Sequence, residues 1–148
     1  MGSMTDQIRW GILGTAKIAV DAYIPAIRAA GNASLAAVAS RSQERADAFA
    51  KEHDIPRAHG SYEALLADPE VDALYIPLPT GLHADWSLRA AEAGKPVLCE
   101  KPLAANAEEA QRMAAGFAEK GVLLAEAMMY RYHPLTEKVK ELVDSGDI

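Results

Sequence analysis

The feature that most constrains the fold is an alternation of short apolar segments with helical ones, repeated about six times along 148 residues. The first apolar segment is Ile8 to Leu13 and the last is Val122 to Ala125. Short strands separated by helical stretches are typical of βαβ units. The order predicts an α/β fold: a doubly wound parallel sheet of about six strands, with helices on both faces in three layers.

Capping residues and glycines indicate where the helices begin and end. Asn106 and Glu109 fit a capping box at the start of one helix. Pro25 falls inside the first predicted helix, where its missing N–H predicts a kink or two short helices. The predicted strands are 8–13, 35–40, 57–59, 73–76, 96–99 and 122–125, and the predicted helices are 17–30, 43–51, 62–66, 82–93, 107–119 and 134–143.

A glycine-containing turn, from Gly11 to Ala19, follows the first strand. Aligned to the dinucleotide fingerprint, Gly14 makes the tight turn, Ala16 lies where the backbone approaches the pyrophosphate, and Ala19 lies where the helix meets the strand. Ala16 replaces the usual glycine, so the pyrophosphate contact is expected to be looser or shifted. The strand–turn–helix context predicts a Rossmann-type nucleotide site, with a simple packing turn as the alternative. The predicted cofactor contacts in this turn are Gly14, Thr15, Ala16, Lys17 and Ile18.

The end of the second strand indicates which nucleotide is bound. Ser40 lies 26 positions after Gly14, near the offset of about 20 residues at which NAD enzymes place an acidic residue on the ribose. Here Ser40 and Arg41 replace the acid, and a guanidinium matches phosphate oxygens. We therefore predict that both residues bind the 2′-phosphate of NADP(H), with NAD less favoured. The alternative is a solvated arginine before a helix N-cap at Ser42.

The tripeptide Glu100-Lys101-Pro102 directly follows the apolar segment that ends at Cys99. Ligands of parallel α/β sheets bind outside the carboxyl ends of the strands. Lys101 is therefore predicted to lie where chemistry occurs, whereas the alternative is an ordinary surface lysine in a turn. Cys99 itself is predicted to be a small buried core residue.

Several of these segments together resemble the glucose-fructose oxidoreductase / inositol dehydrogenase / rhizopine-catabolism (Gfo/Idh/MocA) family. The resemblance covers nearly the whole chain and is most specific in the run from Gly94 to Pro102. Among members, the chain looks most similar to NADP-using sugar oxidoreductases of the xylose-fructose or glucose-fructose type. The segments that carry it are Trp10 to Ala16, Ala39-Ser40-Arg41, Pro77-Leu78-Pro79 with His83, and Gly94 to Pro102.

The resemblance implies an oxidoreductase that moves a hydride between a nicotinamide cofactor and a sugar or polyol. Lys101 would be the catalytic residue, orienting the reacting oxygen and helping to move its proton. Glu100 would support the nicotinamide ribose region, His83 would sit beside the cofactor, and Pro79 and Thr80 would shape the same loop. Tyr130 and Tyr132, near His133, either line the substrate side or pack at a domain edge.

The domain organisation follows from the same comparison. Residues 1–4 look like a cloning remnant, and residues 5–148 are expected to form the dinucleotide-binding domain alone. The family's C-terminal substrate domain is expected to be absent, so this chain should bind cofactor with little turnover and bind sugar only when that domain is present. Apolar surface left uncovered is expected to favour self-association as a dimer.

Composition narrows the remaining function classes. A net charge of −6 argues against broad binding to nucleic acid or acidic membranes. The single cysteine suits a reducing compartment, and a cytoplasmic location is expected. The four histidines show no paired metal-ligand spacing, so no metal is predicted. The competing interpretation is a non-catalytic domain that senses a dinucleotide or has a structural or interaction role.

Overall fold

The computed structural model describes residues 7–148, and the predicted segment 1–4 lies outside the described residues. The strands are β1 (Ile8–Leu13), β2 (Ala33–Ala39), β3 (Arg57–His59), β4 (Ala73–Ile76), β5 (Val97–Cys99) and β6 (Leu124–Glu126). The helices are α1 (Ile24–Ala29), α2 (Gln43–Glu52), α3 (Tyr62–Leu66), α4 (His83–Glu92), α5 (Ala107–Lys120) and α6 (Pro134–Ser145). The strands form one parallel sheet in the order β3-β2-β1-β4-β5-β6, which confirms the predicted doubly wound α/β fold.

The sheet has a separate apolar core on each face, because successive strand residues point to opposite sides. On one face, Ile12, Val38 and Tyr75 pack against residues of the first two helices. On the other face, Leu13 and Leu74 pack against α3, α4 and α5. These two cores make the three layers that the alternating sequence predicts.

The last strand begins later than predicted, at Leu124 instead of Val122. Gly121 ends α5 in the left-handed conformation, with φ +64°. The N–H of Val122 then donates to the carbonyl oxygen of Phe117 at 3.1 Å. Val122 is therefore part of the helix ending, and the strand extends to Glu126 instead.

The first helix contains a π-turn that the sequence analysis did not foresee. The helix is continuous from Lys17 to Ala29, but residues Ala19–Tyr23 form the wider π-turn. The N–H of Ile24 donates to the carbonyl oxygen of Ala19, five residues earlier. Pro25 lacks an N–H and its ring obstructs the carbonyl four residues before it, so the preceding turn widens without breaking the helix.

The carboxyl ends of the strands lie along one edge of the sheet. Leu13 pairs with Ala39, and Cys99 pairs with both Ile76 and Glu126. The segments that follow these strands therefore emerge side by side, and they contain most of the predicted site residues. Among the described residues, none of the helices has both the length and the apolar character needed to cross a membrane.

Candidate functional site

The turn after β1 requires glycine at position 14. Gly14 has φ +104°, a conformation that residues with a side chain rarely adopt. A Cβ atom at this position would also lie 3.0 Å from Cδ2 of Leu78. The Gly14 N–H donates to the carbonyl oxygen of Ala39 at 2.8 Å. The end of β2 and the loop after β4 thus close the turn from two sides.

The residues after Gly14 lead directly into the first helix. Thr15 and Ala16 are half-buried, and among residues 7–148 their N–H groups have no hydrogen-bond acceptor. Ile18 is 37% exposed. Lys17 forms an ion pair with Asp21 one turn along the helix, so its ammonium has an internal partner. The backbone, more than the Lys17 side chain, is what this turn offers to an anion.

The two residues that follow β2 have different surroundings. Ser40 is 5% exposed, and its N–H donates to the carbonyl oxygen of His59 at 3.0 Å. Arg41 is exposed, and its guanidinium has no ion pair or hydrogen bond within the described part of the chain. Ser42 caps α2, as the alternative interpretation expected, with its side chain accepting from the N–H of Arg45 at 3.4 Å. The cap and a ligand-facing Arg41 are compatible.

A second arginine, missed by the sequence analysis, lies beside Arg41. Nη2 of Arg45 donates to Oγ1 of Thr15 at 3.4 Å, which links the first turn of α2 to the turn after β1. The positive end of the helix dipole favours acidic residues in the first turn of a helix. An arginine in the first turn of α2 is therefore unusual, and this sequence signal could have identified Arg45 as a site residue. The pocket that contains both arginines is lined by Gly14, Thr15, Ala16, Ser40, Arg41, Arg45, Tyr62, Pro77, Leu78 and Pro79.

The loop after β4 connects this pocket to the next strand. Pro79 is exposed, and its carbonyl oxygen accepts from Leu82 at 2.8 Å across the 3₁₀ turn Thr80–Leu82. His83 then begins α4 and is only 1% exposed. Its two ring nitrogens lie within hydrogen-bond distance of backbone carbonyl oxygens. The loop is therefore fixed from within, and the predicted position of His83 beside a cofactor stays a prediction.

The residues after β5 combine a buried carboxylate with an exposed ammonium. Glu100 is 9% exposed, and its carboxylate accepts from Tyr75 Oη at 2.7 Å and from the N–H of Lys101 at 3.1 Å. Burial and the hydrogen bond to Glu100 raise the pKa of Tyr75. The Lys101 side chain is exposed, and the peptide bond from Lys101 to Pro102 is cis. Glu100 thus holds the backbone from which Lys101 projects.

A second carboxylate anchors the same loop from β6. Oε1 of Glu126 accepts from the N–H of Leu103 at 2.8 Å. The predicted β6 stopped one residue short of Glu126, so the sequence analysis missed this contact. Cys99, at the end of β5, is fully buried, as predicted, and burial raises the pKa of its thiol to about 12. This thiol is a core group, not a nucleophile.

An apolar cleft lies between the π-turn and the carboxyl ends of β5 and β6. Tyr23 of the π-turn stacks on Tyr75, with ring centroids 3.8 Å apart. Tyr132, which is 82% exposed, lies in the 3₁₀ turn after β6 and lines the cleft. Other residues that line the cleft are Ile18, Tyr23, Tyr75, Leu98, Glu100, Glu126, Met128 and Met129.

The structure thus divides the predicted site residues between two neighbouring surfaces. Gly14, Thr15, Ala16, Ser40, Arg41 and Pro79 line the polar pocket, while Ile18 and Glu100 line the apolar cleft. Lys17, Thr80, His83 and Lys101 line neither surface. The polar pocket is rich in groups that can donate hydrogen bonds to phosphate, whereas the cleft is apolar apart from two carboxylates, Glu100 and Glu126. A turn with these donors, at the carboxyl edge of a doubly wound sheet, defines a dinucleotide-binding α/β domain.

Comparison with known proteins supports this class and narrows it. Residues 8–128 match a family described as an oxidoreductase family with an NAD-binding Rossmann fold. The chain belongs to this Gfo/Idh/MocA family, which confirms the resemblance seen in the sequence. It is 57% identical, over 92% of its length, to a D-xylose 1-dehydrogenase (NADP(+)) of Haloferax volcanii.

Solved structures show the same fold. A 3-ketoreductase from Actinomadura kijaniata, in complex with NADP and TDP-benzene, matches 97% of the chain with a TM-score of 0.88 and 40% identity. A dehydrogenase from Bordetella pertussis, in complex with NADH and UDP-GlcNAcA, matches 95% of it with a TM-score of 0.86 and 30% identity. The chain spans 42%, 44% and 42% of the xylose dehydrogenase, the ketoreductase and the Bordetella enzyme, respectively.

Proposed function

We propose that this chain is the NADP(H)-binding part of an oxidoreductase that transfers a hydride between a nicotinamide cofactor and a sugar or polyol. Three features support the proposal: the family, the turn at Gly14, and two arginines beside the end of β2. The single observation that most favours NADP(H) over NAD(H) is that Arg41 and Arg45 line the same pocket, near the position where an NAD enzyme places an acidic residue.

The pocket fits a dinucleotide phosphate on its own geometry. At Gly14 a Cβ would contact the side chain of Leu78, so glycine lets the turn pack closely against the loop after β4 and sets the shape of the pocket. The unpaired N–H groups of Thr15 and Ala16 are suitable donors to the pyrophosphate. We propose that Lys17 and Ile18 contribute through their place in the first helical turn, and that the Ile18 side chain faces the nicotinamide end, since it lines the apolar cleft.

The 2′-phosphate is proposed to bind among Ser40, Arg41 and Arg45. Among residues 7–148 the guanidinium of Arg41 has no partner, so binding a phosphate breaks no contact within that part of the chain. Arg45 is already oriented across the pocket by Thr15. Planar guanidinium groups bind phosphate oxygens through two parallel hydrogen bonds. This donor set favours a phosphorylated ribose over the free 2′-hydroxyl of NAD(H).

Lys101 is proposed to act at the reacting end. A bound nicotinamide ring gives or accepts the hydride at C4. Lys101 would bind the oxygen of the sugar carbonyl or hydroxyl and help move its proton. Glu100 would hold Lys101 in place through the backbone, while Pro79 and Thr80 would shape the loop after β4 beside the cofactor. Because the chain spans less than half of its relatives, we propose that alone it binds cofactor with little turnover.

Calorimetric titration of the chain with NADPH and with NADH tests the proposed cofactor. We expect NADPH to bind more tightly, and Arg41→Ala to weaken NADPH binding by about ten- to a hundred-fold while barely changing NADH binding. Arg112→Ala, which removes an exposed arginine on α5, is the matched control and should change neither affinity. Equal losses of NADPH and NADH affinity in Arg41→Ala would rule out a 2′-phosphate contact.

We also infer that the chain self-associates. Leu135, Val139 and Val143 are exposed and recur every four residues along α6, which has no buried residue. Such a stripe is the pattern of a helix that packs against an apolar partner, and a second copy with two-fold symmetry is the simplest one. Light scattering at rising concentration should show dimers that Val139→Glu weakens. A monomer at every concentration would contradict this inference.

A further inference from the structure

A buried histidine joins the two loops that border the proposed reacting end. Nε2 of His83 lies 2.7 Å from the carbonyl oxygen of Leu78. Nδ1 of the same ring lies 3.0 Å from the carbonyl oxygen of Pro102. Leu78 belongs to the loop after β4 and Pro102 to the loop after β5. The imidazole therefore spans the exits of two neighbouring strands, and it is 1% exposed.

Both partners of the ring are carbonyl oxygens, which can only accept hydrogen bonds. A neutral imidazole carries one N–H, whereas the imidazolium carries two. Only the protonated ring can donate to Leu78 and Pro102 at the same time. In the neutral ring one nitrogen lone pair would face a carbonyl oxygen. The shorter contact, to Leu78, is the one that we expect a neutral ring to keep.

We propose that His83, as an imidazolium, is a positioning residue that ties the Lys101–Pro102 loop to the exit of β4. This inference rests on the proposed function, because it assigns His83 to the placement of Lys101. The ring nitrogens are both occupied by the backbone, so His83 acts through these loops. Loss of the Pro102 contact would release the loop that carries Lys101 while leaving the β4 loop in place.

The surroundings of His83 can support a buried cation. Carbonyl oxygens contact both nitrogens, and two carboxylates bind the backbone of the loop that His83 holds: Glu100 at its start and Glu126 from β6. Glu100 accepts from the N–H of Lys101 and Glu126 accepts from the N–H of Leu103, on either side of Pro102. Ionised groups with satisfied hydrogen bonds are the form in which buried charge is tolerated. The ionisable groups on the neighbouring elements include Tyr75 on β4, Asp85, Arg89 and Glu92 on α4, Cys99 on β5, Glu100 and Lys101 after β5, and Glu126 on β6.

Nuclear magnetic resonance of the imidazole nitrogens in the chain itself tests the proposal without cofactor. In the folded chain we expect a form of His83 with both ring nitrogens protonated, because both face carbonyl oxygens. When that form loses its proton, the amide of Leu103, next to the Pro102 carbonyl, should shift more than those of Leu78 and Thr80. A single protonated nitrogen at every pH at which the chain is folded, or a loss of the proton that leaves the Leu103 amide unmoved, would overturn the proposal.

Substitution then connects the contact to binding. We expect His83→Gln to shift the Lys101 and Leu103 amides and to weaken NADPH binding by about tenfold. His53→Gln, at the end of α2 on the other face of the sheet, is the control and should do neither. Unchanged loop amides and affinity in His83→Gln would contradict the proposal, and if that variant does not fold, the titration of the unaltered chain decides. If the unaltered chain binds no NADPH, the proposed function fails while the histidine titration still tests the contact.

Discussion

The two ends of β5 carry the same dipeptide with opposite surroundings. Lys95-Pro96 precedes the strand and Lys101-Pro102 follows it. Lys95 is 9% exposed, and its ammonium donates to the carbonyl oxygens of Asp68 at 2.9 Å and Val71 at 2.6 Å. Lys101 is exposed, and within residues 7–148 its ammonium has no such partner. One lysine is used by the fold and the other is left for a ligand.

The same contrast extends to the two edges of the sheet. At the amino edge, Arg9 donates to both carboxylate oxygens of Asp72, and Arg57 pairs with the buried carboxylate of Asp68 at 3.1 Å. At the carboxyl edge, Arg41 has no internal partner in the described part of the chain. Cations whose partners are internal contribute to stability, whereas cations without them are available to phosphate or substrate oxygen.

Burial lowers the pKa of Lys95, in opposition to the nearby carboxylates of Asp68 and Asp72. The buried ammonium is tolerated because it donates hydrogen bonds to two backbone carbonyl oxygens. In the part of the chain that the structure describes, no comparable contact holds the side chain of Lys101. A Lys-Pro dipeptide beside a strand therefore has no fixed role: its role depends on the end of the strand at which it lies.

The largest expected effect comes from exchanging each lysine for methionine. Lys95→Met should lower the free energy of unfolding by about 3 kcal/mol, because two buried carbonyl oxygens lose a charged donor. Lys101→Met, at an exposed position, should change it by less than about 0.5 kcal/mol. Urea unfolding of both variants measures the difference. Similar losses at the two positions would show that both lysines stabilise the fold to the same extent.

A smaller effect is expected at the carboxyl edge. Arg45→Ala should weaken NADPH binding by about tenfold, since one of two guanidinium groups is lost from the pocket. The melting temperature should stay nearly unchanged, because the bond from Arg45 to Thr15 is long and exposed. Arg28→Ala, on α1, is the control for affinity. A large loss of stability in Arg45→Ala would place this arginine among the structural cations instead.

Much of the fold could be predicted because local signals agree with it. The bounds of β1, β3 and β4 match the predicted ones, and Asn106 caps α5 by accepting from the N–H of Glu109 at 2.9 Å. Glu109 reaches back to the N–H of Ala105, one residue before the cap. Caps and short apolar runs act over three or four residues, so a sequence shows them directly.

The contacts that the sequence analysis missed in the candidate site join distant parts of the chain. Arg45 reaches Thr15 across 30 residues, and Glu126 reaches Leu103 across 23. His83 could be identified as a site residue from the resemblance, but its two carbonyl partners become visible only when β4 and β5 are adjacent. Spacing along the chain gives no distance between such groups, so their roles required the tertiary structure.

The smallest expected effect tests the amino edge through pH. The hydrogen bond from Arg9 lowers the pKa of Asp72 from its ordinary value of 3.8 to about 2, with burial acting in the opposite direction. Because the folded-state pKa is the lower one, the contribution of Asp72 is present above pH 3.8. It is lost as the pH falls through about 2. The carboxylate is 40% exposed, so solvent screening should hold the contribution below about 1 kcal/mol.

Asp72→Asn should therefore be slightly less stable than the unaltered chain at neutral pH, and the gap should close on acidification. Urea midpoints measured between pH 7 and the acid limit of folding would show the convergence. Glu70→Gln is the matched control, since that carboxylate pairs with the same arginine but is 58% exposed, and its effect should be smaller still. If the difference in urea midpoint between the two proteins stayed the same at acidic pH, the Arg9 contact would stabilise the fold through packing and not through charge. In that case the cations of the amino edge would be less different from Arg41 and Lys101 than their partners suggest.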